Sequence, residues 1–227
     1  MSDDRPLTGR DEHELDGGHG DESHSHGNHD HAHSDDHDHA HSDDHDHAHS
    51  DDHDHAHGHH HHHDVETLGA AVVTVSTSRS LDDDPAGDAI AAAFEDAGHE
   101  VATRDLVTDE YDNVQSVLSQ LSKRDDVDVV VTTGGTGVTP DDVTVEAAER
   151  LFSKRLPGFG ELFRRESYGE VGVMVVATRA TAGIVESTPV FCLPGSENAA
   201  RLGGDIAVEA AGHLAGLAQR DEDEEEE

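Results

Sequence analysis

The 227 residues carry 52 acidic side chains against 14 lysines and arginines, a formal net charge of −38 at neutral pH. No basic patch interrupts that charge, which excludes nucleic-acid binding driven by counterion release. No apolar stretch approaches the length of a membrane span and the N-terminus lacks a signal-peptide core, so a soluble, cytoplasmic protein without a membrane partner is expected. The single cysteine, Cys192, lies in an apolar run, cannot form an internal disulfide and reads as a small core residue.

Residues 1–64 come first in chain order. They carry a net −17 and all but two of the 23 histidines, with only His99 and His213 beyond. From His31 an octad, His-Ala-His-Ser-Asp-Asp-His-Asp, recurs from His39 and again from His47, and His59 to His63 close the segment. Almost no apolar residue precedes Val65, so this tail cannot bury enough surface to offset its chain entropy, and disorder is expected. In an extended chain, alternation places histidines such as His37, His39 and His41 on one side. Imidazole beside carboxylate suits Zn, Ni, Co or Cu(II), and the candidate ligands are His31, His33, His37, His39, His41, His45, His47 and His49. The tail either buffers or stores metal, or is a solvated spacer. Proton competition weakens capture below about pH 6. An added tag would account for His59 to His63 but not for the octads, so the tail reads as native.

Residues 65–220 form the expected folded domain, and 221–227 are an all-acidic tail of charge −7, leaving −14 on the domain. With two lysines and ten arginines, a domain so acidic reads as adapted to high salt, where screening weakens self-repulsion. A buried strand is predicted over 68–76. Asp82-Asp83-Asp84-Pro85 then signals a turn and helix start, with a helix over 86–97 ending at Gly98. A strand follows over 100–106, a helix over 113–124, and an almost wholly apolar strand over 127–131, as at the centre of a parallel sheet. Helices are predicted over 143–151 and 159–165, strands over 172–177 and 188–193, and a closing helix over 198–218. Strand and helix alternate throughout, which points to a doubly wound or three-layer α/β fold.

In such sheets ligands bind beyond the carboxyl ends of the strands. Three loops there stand out. Thr132-Thr133-Gly134-Gly135-Thr136-Gly137 follows the central strand, and its glycines permit either a backbone cradle for phosphate or simply a tight turn. It is neither a Walker A loop nor a dinucleotide fingerprint. Asp109, after the second strand, and Asp142, ahead of the next helix, can face one cleft if strands two and three both border the switch point. They then read as Mg²⁺ ligands beside polyphosphate, or else as a solvated turn acid and a helix N-cap. Leu193-Pro194-Gly195-Ser196 makes a strand-to-helix turn whose Ser196 hydroxyl and backbone donors suit an anion.

These residues carry a family resemblance. The glycine loop, Pro140 with Asp142-Val143-Thr144, Leu156-Pro157-Gly158-Phe159-Gly160-Glu161, Thr178-Arg179-Ala180-Thr181-Ala182-Gly183 and Leu193-Pro194-Gly195-Ser196 occur in the order and spacing of the MoaB/Mog family. The resemblance covers nearly all of residues 66–217. It implies the molybdopterin-binding type of three-layer α/β sandwich with a mostly parallel sheet, assembled as a homotrimer or hexamer. It implies Mg²⁺- and ATP-dependent adenylylation of molybdopterin with release of pyrophosphate, and a molybdenum-insertion enzyme as partner. Carried over by position, Asp109 and Asp142 are the catalytic and Mg²⁺-binding acids. Thr133, Gly134, Gly135, Thr136, Gly137, Pro194, Gly195 and Ser196 are the nucleotide- and pterin-binding positions. One departure concerns Asp141, at a position often arginine in that family, for which Arg79, Arg179 or ambient cation could compensate. The Thr139-Pro140-Asp141-Asp142-Val143-Thr144 stretch also resembles the CinA-type relative of the domain, linked to nucleotide hydrolysis, but the Leu-Pro-Gly-Phe-Gly-Glu and Thr-Arg-Ala-Thr-Ala-Gly runs favour MoaB/Mog. Two other functions compete: a pterin-binding or scaffold protein without turnover, and a metal-storage or metallochaperone protein acting through its tail.

Overall fold

A computed structural model describes residues 64–219. The histidine repeats, the proposed tail ligands and the terminal acidic run lie outside the described residues.

The first βαβ unit is β1 (Gly69–Val75), α1 (Pro85–Asp96) and β2 (Glu100–Val107). Asp84 caps α1, its carboxylate accepting from Gly87 N at 3.1 Å, and Pro85 starts the helix where its missing N–H costs nothing. Next come α2 (Tyr111–Leu121), β3 (Val129–Thr133), α3 (Thr144–Glu149) and β4 (Lys154–Arg155). Then follow α4 (Pro157–Val171), β5 (Thr181–Val185), β6 (Thr188–Leu193) and the long α5 (Glu197–Ala218).

The six strands lie in the order β2-β1-β3-β6-β5-β4. The first four are mutually parallel, whereas β5 runs antiparallel to β6 and β4 antiparallel to β5. Apolar alternation along β1 splits the core in two. Ala70 and Val72 face Ile90 and Phe94 of α1, Phe163 of α4 and the alanines of α5, while Ala71, Val73 and Val75 face Val114 and Leu118 of α2 and Ala147 of α3. Helices thus cover both faces, which is the three-layer α/β sandwich, and β3 at the centre is buried at all five residues. Cys192 is a core residue as expected. Burial pushes its thiol up to about 12, so it carries no thiolate at neutral pH.

Four expectations are corrected. Residues 172–177 are a 3₁₀ turn, not a strand. The run Val173-Met174-Val175-Val176 is strand-like in composition, but Gly172, at φ 59°, ends α4 and turns the chain away from the sheet. Strand and helix do not alternate throughout, because β5 and β6 form a hairpin turning at Glu186, φ 52°. β5 escapes a composition-based reading because it is built of small residues. The reason is steric: a Cβ on Gly183 would meet the Phe152 ring at 2.4 Å. Third, β3 continues through Thr132 and Thr133, which pair with Cys192 and Leu193, so the loop proper starts at Gly134. Fourth, Asp142 does not cap α3. The residue ahead of that helix is Val143, and the Asp142 carboxylate turns back onto its own loop.

Among the described residues no helix is long and apolar enough to cross a membrane. The topology sets the crevice between β1 and β3, since the chain leaves β1 for β2 on one side and returns to β3 on the other. β2 borders β1 only, so Asp109 is one strand removed from the switch point.

Candidate functional site

At the end of β3 the backbone takes positive φ at two consecutive positions, Gly134 (102°) and Gly135 (66°). A Cβ on Gly134 would stand 2.3 Å from Val75 O, and one on Gly135 2.3 Å from Thr144 Oγ1. Both positions therefore require glycine. Thr144 locks this shape: its Oγ1 donates to Gly134 O at 2.9 Å and its N–H to Gly135 O at 3.0 Å. Gly134 N donates to Leu193 O at 3.0 Å, and Thr133 Oγ1 to Pro194 O at 3.0 Å. These bonds seat the Pro194–Gly195 turn against the glycine loop, so closely that a Cβ on Gly195 would lie 3.2 Å from Gly134 Cα.

The two loops enclose a cleft of about 310 Å³ lined by Gly134, Gly135, Thr136, Gly137, Asp142, Pro194 and Gly195, with Ala177 and Thr178. Six sequence-predicted glycine-loop and turn residues thus meet at one place with Asp142. Thr133 and Ser196 do not line it. The Thr133 hydroxyl is spent on the turn, and Ser196 Oγ is the N-cap acceptor of α5, taking Ala199 N at 3.4 Å. Ser196 opens instead onto a neighbouring groove with Ser167 and Glu170. Asp109 lies half-buried on the link between β2 and α2 and lines neither this cleft nor the next.

The Asp142 carboxylate accepts from Thr139 N at 2.8 Å and Thr139 Oγ1 at 2.6 Å. Burial alone would raise its pKa. The bonds from Thr139, a further one from Gly137 N and the nearby charge of Arg179 outweigh that, holding it below the usual carboxylate value. It is therefore ionised at neutral pH. Arg179 clamps the loop: Nε donates to Gly137 O at 2.6 Å, Nη2 to Asp142 O at 2.9 Å and Nη1 to the Glu146 carboxylate. Asp141 is exposed.

A second network supports the turn from beneath. Asp84, 1% exposed, accepts from Thr74 Oγ1, from Arg79 Nη1 at 3.2 Å and from Arg104 Nη2 at 3.3 Å. Arg79 Nη2 reaches on to Gly195 O at 2.8 Å. Burial opposes ionisation of Asp84, but the bonds from Thr74, Gly87 and Arg79 and the charge of Arg104 lower its pKa overall. In the sequence Asp82, Asp83 and Asp84 read alike, as one turn signal. The only local cue to Asp84 was its place before Pro85, which marks a cap and says nothing of the arginines.

A family profile described as a probable molybdopterin binding domain matches residues 71–213, more than half the chain. The chain belongs to this molybdopterin-binding-domain family. Within it, the chain is 43% identical over 132 residues to molybdenum cofactor biosynthesis protein B of Bacillus subtilis, covering 58% of this chain and 78% of that protein. A crystal structure of a molybdenum cofactor biosynthesis protein B superposes with a TM-score of 0.66 at 36% identity, covering 68% of this chain and 98% of that one. The tungsten cofactor synthesizing protein MoaB from Pyrococcus furiosus gives 0.61 at 39% identity, covering 68% and 99%. This family member therefore shares the fold of those proteins over about two thirds of its chain, and the residues of the cleft lie within 71–213.

Proposed function

We propose that the protein acts in molybdenum cofactor biosynthesis as a molybdopterin adenylyltransferase. The observation that carries this is the convergence of the glycine loop, the Pro194–Gly195 turn and an ionised Asp142 on one cleft at the switch point. The reaction transfers AMP: the terminal phosphate oxygen of molybdopterin attacks the α-phosphorus of ATP, the bond from that phosphorus to the bridging oxygen breaks, and pyrophosphate leaves. The residues suit polyphosphate, because the glycines let backbone approach closely and no side chain of the loop beyond Thr136 obstructs it.

Mg²⁺ fits this donor set. It is held in such sites by one or two carboxylates while phosphates and water supply its other ligands, and among the described residues no cluster of three or more His, Cys, Asp or Glu forms an all-protein cage. Asp142 would hold it, and the ion would neutralise charge on the leaving pyrophosphate, whereas Asp109 lines neither cleft. Arg79 and Arg179 work through position: both guanidinium groups are bonded to loop carbonyls and carboxylates, so they fix the cleft's walls.

Incubation with molybdopterin and Mg-ATP at molar salt should release pyrophosphate and yield adenylated pterin. Asp142→Asn should lower turnover by at least about a hundredfold with the fold intact by circular dichroism. Unchanged turnover in that variant would overturn the mechanism. Pterin binding without pyrophosphate release from the native protein would leave a binding or scaffold function in its place.

A further inference from the structure

Two histidines lie outside the tail, and the fold treats them differently. His99 is spent on structure: its Nδ1 accepts from Leu68 N at 3.3 Å and its ring packs against Phe94. His213, on α5, has a side chain 44% exposed, and its Nδ1 lies 2.8 Å from the Asp64 carboxylate. An ionised carboxylate accepts and cannot donate, so Nδ1 carries the proton and the neutral ring holds its lone pair at Nε2. A carboxylate that fixes one ring nitrogen, and so orients the other and makes it more basic, is the arrangement found behind histidine ligands of metal ions. Glu209, also exposed, precedes His213 by one helical turn, which sets the two side chains on one face about 6 Å apart at Cβ.

The chain next to Asp64 is held at the same place. Val65 N donates to Gly212 O at 3.1 Å, and the approach is so close that a Cβ on Gly212 would stand 2.9 Å from Val65 O. In the sequence the five histidines His59 to His63 directly precede Asp64. Successive Cα atoms are about 3.8 Å apart, so covalent reach alone brings this run to His213. Among the described residues no group of three or more His, Cys, Asp or Glu can hold a metal ion. His213 and Glu209 therefore need further ligands, and five consecutive imidazoles offer them without requiring a register.

We propose that His213 is the domain's own ligand to a divalent transition ion of the Ni²⁺ or Zn²⁺ type. The ion is shared between His213 Nε2, the Glu209 carboxylate and imidazoles of the run His59 to His63, with Asp64 as the carboxylate behind His213. Imidazole with carboxylate selects such ions over Mg²⁺, which prefers oxygen ligands. The ion clasps the histidine-rich segment to α5, so binding it adds to the stability of the folded domain. Metal held by the octads alone has no such linkage to folding. The clasp is independent of the adenylyl-transfer reading.

The test uses the full chain, freed of metal with a chelator and titrated with Ni²⁺ in molar KCl, where general charge is already screened. Bound metal is read by equilibrium dialysis and stability by the thermal midpoint. The native midpoint should rise with Ni²⁺ and not with equimolar Mg²⁺. His213→Asn keeps an amide N–H for Asp64 but lacks the second ring nitrogen. It should lose the Ni²⁺-induced rise and the tightest bound ion, while the remaining ions stay. Asp64→Asn should weaken that tightest ion by about 10–100-fold. A Ni²⁺-induced rise of native size in His213→Asn overturns the proposal, as does a native midpoint indifferent to Ni²⁺ or moved equally by Mg²⁺. Each comparison sets metal-bound against metal-free protein of the same variant, so a lower metal-free midpoint in His213→Asn does not obscure the result.

Discussion

Two aspartates do opposite work within one domain. Asp142 sits at the meeting of two clefts with its carboxylate ionised and partly open, whereas Asp84 is sealed beneath the turn and joined to Thr74, Arg79 and Arg104. Removing the Asp84 carboxylate leaves two guanidinium groups and a buried hydroxyl without their shared acceptor. Because both arginine side chains are about 30% exposed (32% and 28%), water recovers part of the loss. Asp84→Ala should cost about 2–3 kcal/mol of unfolding free energy in urea titration. The pH dependence follows from the direction of the shift. The folded pKa lies below the unfolded value near 3.8, so the stabilisation is present above that pH and disappears as the pH falls through the folded value. Native and Asp84→Asn proteins should thus differ in stability at pH 6 and converge in strong acid. A constant difference down to pH 2 would show that the carboxylate's charge is not what Asp84 contributes.

At the scale of elements, the site depends on β1, β3 and β6 ending together, because the glycine loop closes on Val75, Leu193 and Pro194. Gly134→Ala forces a Cβ to within 2.3 Å of Val75 O at a left-handed φ. It should destabilise the domain by about 3 kcal/mol or more and abolish nucleotide binding even where fold remains. A stable variant with native affinity would mean the loop tolerates another path. The elements also show where composition misleads. β6 was legible over Thr188–Leu193 because a run of six buried residues between turn signals has few other readings. The segment 172–177 looks as good a strand, yet its backbone has no neighbour to pair with. The true neighbour, β5, hides in Thr-Ala-Gly-Ile-Val because Phe152 demands a glycine beneath its ring. The candidate site was legible to a similar degree. Glycine spacing and position after a central strand pointed to Gly134–Gly137 and Asp142, but the hydrogen bonds that make Ser196 a cap and Thr133 a tether depend on chains meeting across the sheet.

For the whole molecule, charge is the governing quantity. A net −38 spread over 227 residues opposes compaction and is relieved by screening. The thermal midpoint should rise steadily as KCl is raised from about 0.1 M to molar concentration, where the Debye length falls from about 10 Å to about 3 Å, and a salt-independent midpoint would remove the case for adaptation to high salt. The histidine-rich segment poses a separate question. Deleting residues 1–63 should leave pyrophosphate release within about twofold while removing most bound Ni²⁺ or Zn²⁺ in equilibrium dialysis. Loss of turnover on deletion would give the tail a part in the chemistry, and unchanged metal content would deny it a metal-binding one.

The amino-acid order by itself determined the class of fold, the central strand and the place of the glycine loop, because these depend on local periodicity and on which residues tolerate which backbone angles. It also determined the acidity and the histidine repeats, which are matters of composition. Only the tertiary structure decided which of three adjacent aspartates is buried, which arginines are spent on carbonyls, and that Tyr111 and Asp142, on different elements, share one cavity. Those facts arise from distances between segments far apart in the chain, and such distances exist only once both faces of the sheet are covered.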